Sequence, residues 1–372
     1  MKFLLASLLF MFAVPVAYAQ TLLQDEVNLW RAQVTEVLMS EVRTIPGTQT
    51  PATYQSIKAK LLEGPRSGDI LTLTNDYLVM SKGDTFYIRH IVDAGTGRET
   101  FSVSEPYRLP ALAWLGVLFL VCLFLFGGKQ GARGLASLIA SLFFIVYVLL
   151  PGILGGYPPV PVALGVASLI IVIGSYITHG WSRSTHAAVL GMLATIMVTG
   201  VLAYASIQGT RLSGYSSEEA VYLNFSTSGS IDFVGLLLGG LLIGLLGVLY
   251  DAAISQAIAV EELAAVGAHL SKRELFARGL RIGREHIGAL VNTLAIAYVG
   301  VSLPLLLYLT AIPGQSIWIT LNQELFATEI VRMLVGSIGI ILAVPITTAV
   351  AVYLLHGRPL SRAPGHSHVH NK

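Results

Sequence analysis

FVGLLLGGLLIGLLGVLYDAAISQAIAVEEL, from Phe233 to Leu263, and GREHIGALVNTLAIAYVGVSLPLLL, from Gly283 to Leu307, decide the fold class. Each holds the run of about 20 mostly apolar residues that a membrane-crossing helix needs. A charged connector joins them, so the pair reads as a helical hairpin. Most polar residues at membrane depth gather here: Asp251, Ser255, Gln256, Glu261, Glu262, His286, Asn292 and Thr293. An ionisable group in hydrocarbon costs roughly 2.5–3.5 kcal/mol on insertion scales, so it normally has a partner or a task.

The rest of the chain agrees. Of its 372 residues 54% are hydrophobic and 12% charged, against about 25% charged in a soluble domain. Cys122 is the single cysteine, which excludes intrachain disulfides and thiolate clusters. Seven apolar stretches follow residue 109, near 110–127, 134–153, 160–179, 187–207, 232–252, 286–309 and 329–355. Met1–Ala19 has the build of a secretory signal, with Lys2, an apolar run and Ala17-Tyr18-Ala19. It places residues 20–109 outside the cytoplasm. Lys129, Arg133, Arg183, Lys272, Arg273, Arg278, Arg281, Arg284, Arg358 and Arg362 then fall on the inner side, as the positive-inside rule requires. The expectation is a bacterial inner-membrane protein with a cytoplasmic C-terminus. Residues 356–372 form a basic tail in which His366, His368 and His370 alternate, a weakly chelating composition.

Residues 20–109 alternate apolar and polar at Ala32–Leu38, Asp69–Thr74 and Thr85–Val92, with turn signals such as Pro46-Gly47 and Lys82-Gly83-Asp84 between them. That predicts a small β-barrel or sandwich. His90 with Asp93 or Asp84 has metal-ligand chemistry, but a single strand histidine fits packing equally. The predicted architecture is mainly α, a polytopic transmembrane helical bundle of about seven spans carrying a small β-rich extracytoplasmic N-terminal domain.

Within the hairpin, Gly235/Gly239 and Gly240/Gly244 are G-x-x-x-G pairs, which let a neighbouring helix approach closely. Asp251, Ser255 and Glu262 return to one helical face. Inside the bilayer Asp251 would coordinate a cation or move a proton; at the interface it would only end the span. His286 fits a proton relay or an interfacial residue. Asn292 and Thr293 fit neutral ligands or helix glue. Ser271-Lys272-Arg273-Glu274 has the S-x-x-E pattern of a capping box, so a basic amphipathic helix starts there. Pro304 and Pro345 interrupt the last two spans as kinks or breaks.

GVLYDAAISQAIAVEEL followed by GREHIGALVNTLAIAYVGVSLPLLL resembles the YibE/YibF-like family of multi-pass bacterial membrane proteins, carried by Asp251, Glu262, Arg284, Glu285, His286, Asn292 and Thr293. The likeness runs from about Trp114 to Leu355. It implies a permease of undefined substrate and supplies no catalytic residue or cofactor.

The leading expectation is therefore a permease for a small solute or ion. Its polar path would lie near the inner leaflet between the fifth and sixth spans, at Asp251, Ser255, Gln256, Glu262, His286, Asn292 and Thr293. The alternative is a non-transporting scaffold or envelope-assembly factor that acts through the outer domain. No H-E-x-x-H, G-x-S-x-G or P-loop is present, so no enzyme, metal or cofactor is expected. The partners expected are the lipid bilayer, a small solute or cation, and a second copy or partner membrane protein. Nothing suggests nucleic acid.

Overall fold

The computed structural model describes residues 26–357 except 46, 48, 49, 77, 268 and 312–315. The signal and the histidine tail lie outside the described residues. The chain divides into two compact units, one reaching Phe126 and the other beginning at Gly127.

Among the described residues the first unit holds five strands: β1 (Glu26–Thr44), β2 (Pro51–Leu61), β3 (Ile70–Asn75), β4 (Thr85–Val92) and β5 (Glu99–Pro106). They form one antiparallel sheet in the order β3-β2-β1-β4-β5. β2 and β5 are additional to the alternating runs read from the sequence. Register shifts at Val34/Glu36 and Val37/Met39 mark bulges, which add twist. The sheet curls until its edge strands β3 and β5 meet, so one sheet supplies the core that two would share in a sandwich. Alternation puts Ala32, Val34, Ile57, Ala59, Leu61, Phe86 and Ile88 on the inner face. Gln55 is buried there and satisfied, donating to the Met80 carbonyl at 3.0 Å and accepting the Met80 amide at 2.8 Å.

His90 is packed: it is 6% exposed and stacked between Trp30, at 4.5 Å, and Phe101, at 4.7 Å. Asp93 instead accepts from the Thr96 hydroxyl and amide and the Gly95 amide, which hold its carboxyl below the usual range. Asp84 accepts from the Ser81 amide. On the outer side the Arg31 guanidinium donates to Glu63 at 2.6 Å, and that hydrogen bond lowers the Glu63 carboxyl.

α1 (Leu109–Phe144) leaves helical geometry at Gly128, with φ 51° and ψ −133°, a left-handed value that glycine tolerates. A π-helical segment (Ile145–Leu149) and α2 (Leu150–Leu154) continue it. The second unit then runs through α3 (Pro159–His179), α4 (Arg183–Thr210), α5 (Glu218–Ser226), α6 (Phe233–Val266), α7 (Lys272–Val301), α8 (Leu303–Ala311), α9 (Ile317–Leu321) and α10 (Glu324–Leu355). Among the described residues five helical stretches, with Leu109–Leu154 taken as one, are long and apolar enough to cross a membrane. A sixth is added if α7 and α8, bent by 67° beside Pro304, are one broken span. Pro345 lies inside α10, which continues through it. The connection 208–231 is partly ordered as α5, and it is clamped to α10. Glu324 accepts from the Ser213 amide at 2.8 Å, the Ser213 hydroxyl at 2.7 Å and the Gly214 amide at 2.8 Å.

α3 and α6 run parallel at a constant offset. Pro159 faces Gly235, Ala163 faces Gly239, and the Tyr250 hydroxyl donates to the Gly174 carbonyl at 3.2 Å. α7 runs antiparallel, with Gly279 against Val260 and Thr348, and Gly283 against Gln256 and Val344. α4 opposes α10 through Gly191 and Thr347 and through Thr199 and Gly339. The second unit therefore has two ends. Phe233, Glu324 and Val301 mark one; His179, Val266, Lys272 and Leu355 mark the other.

Candidate functional site

α6 is apolar nearly all round, yet it has one odd face. Gly240, Gly244, Gly247, Asp251, Ser255, Ile258 and Glu262 are all exposed. They recur at steps of three and four, which is one stripe of a helix. Leu238, Leu241, Leu242, Leu245 and Leu249 are buried on the remaining sides. A helix passing through lipid is expected to bury its polar groups and expose its leucines. α6 does the reverse along this stripe. Its glycines leave a furrow floored by backbone, and an added Cβ at Gly240 or Gly247 would meet nothing within 4 Å.

The four predicted packing glycines therefore separate. Gly235 and Gly239 lie against α3, where a Cβ at Gly239 would come within 3.0 Å of Ala163. Gly240 and Gly244 lie in the furrow, Gly244 beneath the Tyr298 hydroxyl, which a Cβ there would approach to 3.5 Å. Sequence spacing could not separate the two pairs, because both obey the same rule.

The polar residues separate too. Asp251, Ser255 and Glu262 share the furrow. Gln256 does not: it is 4% exposed and faces the α6–α7–α10 junction. Its amide donates to the Gly279 carbonyl at 2.8 Å and the Thr348 hydroxyl at 2.7 Å. Five residues after Asp251 on a helix, it is turned by about 140°. The space expected to hold a path between α6 and α7 is thus filled, at this level, by a hydrogen-bonded side chain. His286, Asn292 and Thr293 are exposed on α7. Two of them bond within their own helix, His286 Nδ1 at 3.2 Å from the Ile282 carbonyl and Thr293 to the Ala289 carbonyl at 2.9 Å. At this level α7 meets α6 on the side away from Asp251, so His286 and Asp251 are not brought together.

A different histidine is. His179, the last residue of α3, reaches the neighbour of Asp251 on α6, with its ring 5.8 Å from that of Tyr250. Beyond it Tyr176, Trp181 and His186 form an aromatic cluster, with Tyr176 and Trp181 stacked at 4.2 Å. The signal was present as His179-Gly180-Trp181 at a helix end, but only the parallel register of α3 and α6 ties it to Asp251. Toward the opposite end, Arg332 donates to Glu329 at 2.7 Å, and Ser302, at the α7–α8 break, lies 3.5 Å from the same carboxylate. The furrow thus has Asp251, Ser255 and Glu262 toward one end and Tyr298 toward the other. A carboxylate, a hydroxyl and open backbone can replace the hydration shell of a small cation or pass a proton. Among the described residues, no three His, Cys, Asp or Glu side chains gather as a metal-binding group.

A family model described as YibE/F-like protein matches residues 115–357, and the chain belongs to that family. No curated protein and no solved structure matches it.

Proposed function

We propose that this YibE/F-like protein is a multi-pass membrane permease for a small cation or a cation-coupled solute, with the α6 furrow as the wall of its path. One observation carries the reading: on α6 the exposed face is the polar, glycine-rich one. In hydrocarbon that face would be costly, and lining a solute path accounts for it. Asp251 and Glu262 bind the cation, Ser255 supplies a neutral oxygen, and His179 adjusts the charge at Asp251. His286, Asn292 and Thr293 lie off this path, and Gln256 locks the helices beside it.

Two features support a membrane topology of seven spans. Leu109–Leu154, at 46 residues, would be about 69 Å long as one helix, over twice the hydrocarbon thickness; the break at Gly128 makes it two spans. α7 and α8 together make one broken span. The end marked by His179 and Val266 carries Arg183, Lys272, Arg273, Arg278, Arg281 and Arg284, and the opposite end carries Arg211 and Arg332. By the positive-inside rule the basic end is cytoplasmic and the curled sheet extracytoplasmic.

The test is flux into liposomes containing the purified chain. Asp251→Asn is expected to reduce it. Absence of flux across a broad panel of solutes, protons included, refutes the reading. One feature favours a scaffold instead: Val27, Leu29, Leu38, Met39 and Val42 are exposed along β1. In that case removing the sheet abolishes function and Asp251→Asn only lowers yield.

A further inference from the structure

We infer that the first turns of α7 form a binding face for the phosphate headgroup of an anionic phospholipid. The inference rests on the membrane reading above. α7 begins behind a complete capping box, in which the Ser271 side chain accepts from the Glu274 amide and Glu274 accepts from Ser271. Its orientation is then fixed by close contact. Leu275, Gly279 and Gly283 are buried, and a Cβ at Gly279 would come within 2.9 Å of Val260 and 3.1 Å of Thr348. A Cβ at Gly283 would collide with Val344 and Gln256. The helix cannot roll without breaking these contacts.

The opposite side carries Arg278, Arg281 and Arg284, all exposed. They follow one another at intervals of three, which sets neighbouring Cβ atoms about 5–6 Å apart. Among the described residues none of the three side chains makes a hydrogen bond or a salt bridge. The acid one turn before them, Glu274, is held in the cap. Lys272 is also engaged, with its ammonium 5.5 Å from the centre of the Tyr353 ring. Three neighbouring guanidinium groups are thus held on a rigid face without a direct ion pair; Arg278 interacts with the capped Glu274 carboxylate only through space, Glu285 is exposed beside Arg284, and each guanidinium offers the planar fork that matches a phosphate.

What continues from them selects the occupant. The same side of α7 runs on through Gly288 and Asn292 to Ile296 and Val299, all exposed. Cations, then a small residue and an amide, then branched apolar side chains follow the order of a phospholipid from phosphate through glycerol to acyl chain. Free phosphate would satisfy the arginines and leave the apolar continuation without a partner. Each arginine at a membrane surface contributes about five-fold in affinity for anionic lipid, so three together contribute on the order of 100-fold.

The full chain, purified in a non-ionic detergent, is unfolded thermally with added phosphatidylglycerol, phosphatidylcholine or inorganic phosphate. Phosphatidylglycerol is expected to raise the midpoint, with half-saturation moving about 100-fold higher in the triple variant R278Q/R281Q/R284Q. The triple lysine variant R278K/R281K/R284K, which keeps the charge and loses the fork, is expected to fall between the wild type and the glutamine variant, and a response as weak as the glutamine variant's overturns the charge-based part of the inference. An undiminished response in the glutamine variant, an equal response to phosphatidylcholine, or a full response to inorganic phosphate overturns the inference. If the triple variant does not fold, R281Q alone is measured: a shift of about five-fold supports the site, and no shift overturns it. Asp251→Asn, which reduces flux on the permease reading, leaves the lipid response intact. Either reading can therefore fail while the other stands.

Discussion

Gln256 offers the sharpest test of how the helices are held. In the wild type its amide bridges α7 and α10, through the Gly279 carbonyl at 2.8 Å and the Thr348 hydroxyl at 2.7 Å. Replacing it with alanine removes both bonds and opens a void in a site where the side chain is 4% exposed. Side-chain hydrogen bonds between membrane helices average about 0.6 kcal/mol and reach about 1.7 kcal/mol. Two bonds with short geometry therefore account for about 1–3 kcal/mol, and the void adds to that. The Gly279 carbonyl keeps its place in the α7 ladder, so no buried acceptor is stranded, and the cost stays in this range. A double-mutant cycle separates the pair from the void. Gln256→Ala, Thr348→Ala and the double variant are unfolded by titration with a denaturing detergent, and the interaction energy is expected at about 0.6–1.7 kcal/mol. A value indistinguishable from zero refutes the bridging role. So does a Gln256→Ala chain that keeps full stability and loses flux, since that would make Gln256 a wall of the solute path.

Two further outcomes follow from the same geometry. Gly239→Val places a side chain against Ala163 and is expected to destabilise the bundle by about 1–3 kcal/mol; Gly240→Val faces open space, is expected to keep the stability and to obstruct flux, and equal behaviour of the two variants would contradict the division of α6 into a packed face and a furrow. In the sheet, the Arg31 hydrogen bond lowers the Glu63 carboxyl from its ordinary 4.5, so its stabilising contribution is present above that value and is lost as the pH falls through the lowered one; Trp30 fluorescence, with Trp114, Trp181 and Trp318 replaced by phenylalanine, is expected to report an acid transition that Glu63→Gln makes shallower.

The fold class was legible because its signals are local. Apolar runs longer than a bilayer is thick, alternation at Thr85–Val92 and the Ser271–Glu274 cap each depend on a few neighbours in the chain, and each appears where the pattern puts it. β2 and β5 were not legible. β2 carries its inward positions on Ile57, Ala59 and Leu61, where the small alanine weakens the alternation, and β5 is an edge strand whose residues are partly or fully exposed. The span count was less legible than the composition suggested, because one helical stretch runs through the first two apolar segments with only Gly128 to divide them.

For the site, the sequence by itself determined the ingredients: a glycine-rich helix, a carboxylate at Asp251, neighbouring hydroxyls and amides, and a basic end. It could not say which of them share a space. On a helix that is leucine and glycine nearly all round, no hydrophobic period marks an inside, so Gly235/Gly239 and Gly240/Gly244 read alike. Tertiary packing broke that tie. The parallel register with α3 takes Gly235 and Gly239 and sets His179 near Asp251. The antiparallel contact with α7 takes Gln256. What remains of α6 faces outward as glycine, aspartate, serine and glutamate. The sequence reading joined Asp251 to Gln256 and His286 by proximity along the chain and across the connector. The structure separates them because a helix turns 100° per residue, and five residues are enough to move a side chain from the furrow to the core.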